Sequence, residues 1–87
     1  MERVDKILDT FRWGQVRAAA KVPLICIYER PEDYPGKFVA RLWDLQQPTS
    51  FLVVADTLEE IRKAIPSGMV PIQRDPTDAP AIVETWI

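Results

Sequence analysis

The chain has 87 residues, 47% apolar and 28% charged, a balance that excludes a disordered chain and predicts one compact domain over residues 1–87. Eleven basic against thirteen acidic side chains give a net charge of -2, which does not suit a general phosphate-binding surface. Histidine is absent and Cys26 is the single cysteine, so His-based triads, His-ligated metals, an internal disulfide and a four-cysteine zinc site are excluded.

In chain order, Val4, Ile7, Leu8 and Phe11 fall at i, i+3, i+4 and i+7, which predicts a helix over 2–13 with Gly14 as terminator. Trp13 extends its apolar stripe. Residues 15–21 read as a second turn or a lead-in, because Ala18-Ala19-Ala20 favours helix and Pro23 stops it. Leu24 to Arg30 is nearly continuous in apolar residues, the mark of a central strand. Pro35-Gly36 suits a type II turn. Lys37 to Asp44 returns as a strand, with Phe38, Ala40 and Leu42 on one side and Val39, Arg41 and Trp43 on the other. After a connection at 45–49, Phe51 to Ala55 reads as a third strand.

Thr57-Leu58-Glu59-Glu60 is a capping box, and Leu58, Ile61 and Ile65 share a face of the short helix that follows. Pro66-Ser67-Gly68 ends it. Met69 to Gln73 predicts a short strand, placed at an edge by Pro71. A loop spans Arg74 to Pro80, and Ala81 to Ile87 closes the chain as a strand. The predicted fold is α+β: a single-layer, mostly antiparallel sheet with an N-terminal helix and a short helix packed on it, in the order α-β-β-β-α-(β)-β.

Glu29, Asp44 and Glu60 are the carboxylates with the residue type a divalent-ion site needs. Each also has a plain structural role: strand end, turn and helix cap. Asp75 and Asp78 resemble no calcium loop, and Gly14, Gly36 and Gly68 are too scattered for an anion nest. No cofactor and no metal are therefore expected. Cys26 sits in an apolar run and reads as a buried, unreactive thiol. Residues 1–21 carry five basic and three acidic groups, so Arg12, Arg17 and Lys21 are the alternative nucleic-acid contact. Three tryptophans among eight aromatic residues are more than so small a core needs. Val39, Arg41, Trp43 and Trp86 are the expected partner-binding residues, because a large aromatic beside a charge suits an interface. The face bearing Trp43 is expected to be covered by the N-terminal helix, by another chain, or partly by both.

Residues 24–65 resemble the HicB-type antitoxin core, through two strands joined by an acidic, Gly-containing turn, a third strand, and the helix opening Ala55-Asp56-Thr57-Leu58-Glu59-Glu60. The resemblance implies a β-β-β-α-β core related to a reduced ribonuclease H fold, and binding to a small toxin ribonuclease. Glu29-Arg30-Pro31 resembles the loop opening of uncharacterised small bacterial proteins and implies no function. The expectation is a non-enzymatic protein-interaction module, a regulator or inhibitor, with a protein partner or a second copy of itself. The alternative is a small nucleic-acid-binding protein. No signal-like or membrane-spanning run is seen, and the cytoplasm is the expected location.

Overall fold

Strands need partners for their backbone groups as well as cover for their side chains, and this chain meets both needs with one open sheet. The computed structural model describes residues 5–32, 34–72 and 82–87. In chain order its elements are β1 (Lys6–Leu8), α1 (Trp13–Ala19), β2 (Pro23–Glu29), β3 (Phe38–Asp44), β4 (Gln47–Ala55), α2 (Leu58–Lys63), β5 (Pro71–Ile72) and β6 (Ile82–Trp86). The six strands form one sheet in the order β1-β4-β3-β2-β6-β5. Every neighbouring pair is antiparallel except β1 with β4. The fold is α+β, with an N-terminal helix, a second short helix and a mostly antiparallel sheet. The expected loop at 74–80 lies outside the described residues.

The N-terminal helix does not occupy residues 2–13. Residues 6–8 are a strand and the helix begins at Trp13, where the expected one was to end; residues 1–4 lie outside the described residues. Two forces explain the shift. The alanine-rich stretch has the better helix propensity, and Val16 and Ala20, four apart, both reach the core. Upstream, Lys6 to Leu8 are held extended by pairing with Phe51 to Val53 on the free edge of β4. Gly14 is thus the second residue of α1 and not its terminator. Phe11 keeps its buried place, and its amide donates to the Ala64 carbonyl at 3.1 Å.

Local signals elsewhere act as the residue types require. The Lys37 amide donates to the Tyr34 carbonyl at 3.2 Å across Pro35-Gly36, and Gly36 has φ of 78°, the left-handed value a type II turn demands. The β3–β4 connection is shorter than expected. Asp44 pairs with Gln47, so only Leu45 and Gln46 turn the chain and β4 starts at Gln47 instead of Phe51. The Glu60 amide donates to Thr57 Oγ1 at 3.1 Å, which makes Thr57 the cap of α2; the return bond of a full capping box is not formed among the described residues. Pro71 is in the edge strand β5, opposite Trp86.

Both helices cover the same face. Ile25 and Ile27 from β2, Ala40 and Leu42 from β3, and Val53 from β4 join Val16 and Ala20 near α1 and Ile61 and Ala64 near α2 in one buried cluster. Among the described residues the opposite face has no helix on it. That asymmetry positions everything below.

Candidate functional site

Strand side chains alternate between faces. Phe38, Ala40 and Leu42 point to the helices, so Val39, Arg41 and Trp43 point to the helix-free face. Their neighbours across β2 are Tyr28, Cys26 and Leu24; across β4 they are Val54, Leu52 and Pro48. The N-terminal helix does not dock here. Leu8 and Phe11 pack into the helix-side core, and α1 lies on that side with them.

Trp86 is the exception among the expected partner-binding residues. It stands directly opposite Ile25 and packs against the helix-side cluster, while its Nε1 donates to Glu84 Oε1 at 3.2 Å. The structure therefore unites Val39, Arg41 and Trp43 and places Trp86 on the other side of the sheet.

Without a helix above them, Val39 and Leu52 are nevertheless only 2% and 0% exposed. Side chains supply the roof. Pro31 and Tyr34, in the β2–β3 connection, line a half-open cavity of about 180 Å³ with Tyr28, Val39 and Arg41. The Tyr34 hydroxyl donates to Asp5 Oδ2 at 3.2 Å, and Arg41 Nη1 donates to Asp5 Oδ1 at 3.1 Å. Arg41 Nη1 also donates to the Thr49 carbonyl at 2.8 Å. That carbonyl is available because the β3–β4 ladder is irregular between Arg41 and Trp43, where Thr49 Oγ1 donates to the Leu42 carbonyl at 2.7 Å. The irregular ladder and the β1 strand together fix the guanidinium.

Two polar groups on this face carry a desolvation cost. Trp43 is half-buried, and its Nε1 is buried without a hydrogen-bond partner. Burial pushes the Tyr28 phenol above its ordinary value and the nearby Cys26 adds to the rise; the Trp43 indole and Arg41 guanidinium oppose it. Cys26 is half-buried and not fully enclosed as expected; its Sγ lies 3.8 Å from Thr85 Oγ1. At the margins of this face Ile7 on β1 and Ile72 on β5 are exposed.

The remaining candidates are dispersed. Asp44 pairs with Pro23 and receives the Val22 amide at 3.0 Å, whereas Glu29 pairs with Phe38 at the other end of the same hairpin. Six residue steps of strand separate those two ends, about 20 Å, and Glu60 is on α2. Among the described residues no three acidic or cysteine side chains are grouped to hold a metal. Arg12 pairs with Asp9 at 3.5 Å, Arg17 lies 5.3 Å from the Trp13 ring, and Lys21 is exposed beyond the end of α1. No helix among the described residues is long and apolar enough to cross a membrane. Comparison with protein-family models, with curated proteins and with solved structures finds no match.

Sequence reasoning missed Asp5, Tyr28 and Tyr34. Tyr28 was recoverable, since pairing the two strands of the hairpin puts it beside Val39. Asp5 was not, because a helical reading of residues 2–13 sends it to solvent.

Proposed function

We propose that this chain is a non-enzymatic protein-interaction module, a small regulator or inhibitor, and that its partner surface is the helix-free face around Val39, Arg41 and Trp43. One observation carries the reading: both helices lie on one side of the sheet, which leaves Trp43 half-covered on the other, with a cavity and a fixed arginine beside it. A rigid aromatic next to a held charge is the arrangement from which interface anchors are made. The antitoxin-like character belongs to this proposal as a likeness of element order, β2-β3-β4-α2-β6, with β5 inserted before the last strand. Nucleic-acid binding through Arg12, Arg17 and Lys21 is the weaker reading, because Asp9 pairs with Arg12 and the chain carries a net charge of -2.

The test is association measured by sedimentation velocity over a concentration series, alone and with partners recovered from the source cell. Trp43→Ala should weaken association at least tenfold while the far-ultraviolet spectrum stays native. Unchanged association of a folded Trp43→Ala protein overturns the proposal, as does binding to oligonucleotide that falls steeply with salt.

A further inference from the structure

Building on the partner-binding reading above, we propose that the cavity beneath Tyr34 is a socket for a single uncharged aromatic side chain presented by the protein partner. Size sets the first limit. Pockets for cofactors and whole metabolites run to about 300–1,000 Å³, whereas an apolar cavity of about 150 Å³ takes up benzene. A volume of about 180 Å³ therefore suits one ring.

Charge sets the second limit. Arg41 is the one cationic wall, and it is already held by Asp5, whose other oxygen is held by Tyr34. An incoming carboxylate would lose its water only to compete with Asp5 for Arg41, and an incoming ammonium would meet the like charge of Arg41; neither finds an unmatched counter-charge. A neutral ring pays no such penalty. It can turn its electron-rich face to the guanidinium and its edges to Tyr28 and Tyr34, the geometries aromatic rings favour. Pro31 and Val39 complete the lining with apolar surface. The Thr49 carbonyl holds Arg41 in place before anything binds, so little order remains to be imposed.

The experiment uses the full chain, labelled with ¹⁵N, and titrates it with N-acetylphenylalanine amide. N-acetylaspartate amide and N-acetyllysine amide serve as charged probes on the same backbone. The expected result is saturable movement of the Tyr28, Val39 and Arg41 amide signals with the phenylalanine probe in the millimolar range, and none with the charged probes. Val39→Leu, which grows into the cavity, and Tyr34→Ala, which removes a wall, should each abolish saturation; either suffices if the other does not fold. Absent or delocalised shifts, equal response to a charged probe, or full binding by a folded variant overturns the socket. Because the probe reads the cavity directly, such a failure is separate from the Trp43→Ala association result, which judges the face as a whole.

Discussion

One face of the sheet is closed by secondary structure and the other by individual side chains. On the first, Ile25, Ile27, Ala40 and Leu42 are sealed by residues of two helices. On the second, Val39 and Leu52 are buried as completely; Val39 lies in a cavity walled by Tyr34 and Arg41, both held by Asp5, and Leu52 stands opposite Arg41 in the ladder. The same degree of burial therefore means different things. Two packed helices leave no room above the first face, whereas side chains held by hydrogen bonds leave a cavity between them on the second. The proposed partner surface rests on this contrast.

The largest effect should come from cutting into the helix-covered face. Ile27→Ala leaves a hole that two packed helices cannot fill, and should cost about 2–5 kcal/mol. Leu52→Ala on the opposite face should cost about 2 kcal/mol, near the bottom of that range, because no helix among the described residues stands over it and its neighbours can settle inward. Denaturant midpoints of the two variants measure the difference directly. Equal losses would break the distinction between the faces.

Trp43 sharpens it next. Its ring is half-buried and its Nε1 is unpartnered, so part of the packing gain is offset by a desolvated donor. Trp43→Phe keeps most of the ring and removes that donor, and should change stability by less than about 1 kcal/mol. Calorimetry of both proteins gives the answer, and a much larger loss would mean that the indole is a structural member of the face and not an anchor for another molecule.

A smaller effect belongs to the start of α2. Thr57→Ala removes the acceptor for the Glu60 amide and should cost about 0.5–2 kcal/mol, with Thr57→Ser much gentler. A denaturant titration checks it. Since α2 lies over the covered face, this loss should leave probe binding in the Tyr28–Arg41 cavity unchanged.

How legible these two faces were in the sequence depended on the range of the interactions involved. Period-two alternation sufficed to separate Phe38, Ala40 and Leu42 from Val39, Arg41 and Trp43, and short-range chemistry sufficed for the Pro35-Gly36 turn and the Thr57 cap. Pro71 correctly marked an edge. The N-terminal segment was misread because Val4, Ile7, Leu8 and Phe11 satisfy a helical period, while the force that holds 6–8 extended is an unoccupied edge on a strand more than forty residues away. That Trp86 faces away from Trp43 was not legible for a related reason. Its alternation within β6 is regular, but which side faces the helices is set by register against Ile25, a nonlocal fact. The Arg41–Asp5–Tyr34 roof joins three separate segments and has no signature in any of them.

The smallest predicted effect separates the faces by pH. On the helix-covered side Arg62 reaches from α2 to Glu84 on β6, with Arg62 Nε donating to Glu84 Oε1 at 3.1 Å and Nη2 donating to Oε2. These bonds hold the Glu84 carboxyl below its ordinary value of 4.5, against the opposing effect of burial and with help from the Trp86 N–H. A carboxyl lowered in the folded state contributes stability above that ordinary value, and the contribution is lost as pH falls through the lowered one. On the helix-free side the sign reverses. Tyr28 is raised above 10.0, chiefly by burial, so the folded chain favours its neutral form; that stability is present below 10.0 and is lost as pH rises through the raised value. Arg62→Gln should therefore soften the acid limb of a stability–pH curve and leave the alkaline limb in place. Tyr28→Phe should do the opposite. Both shifts are modest, since the ion pair is largely solvent-screened and the phenol only half-enclosed, but they are independent because the sheet lies between them. Midpoints of urea unfolding between pH 3 and pH 11 would read both limbs, and a Tyr28→Phe variant that altered the acid limb would show the two faces to be energetically one.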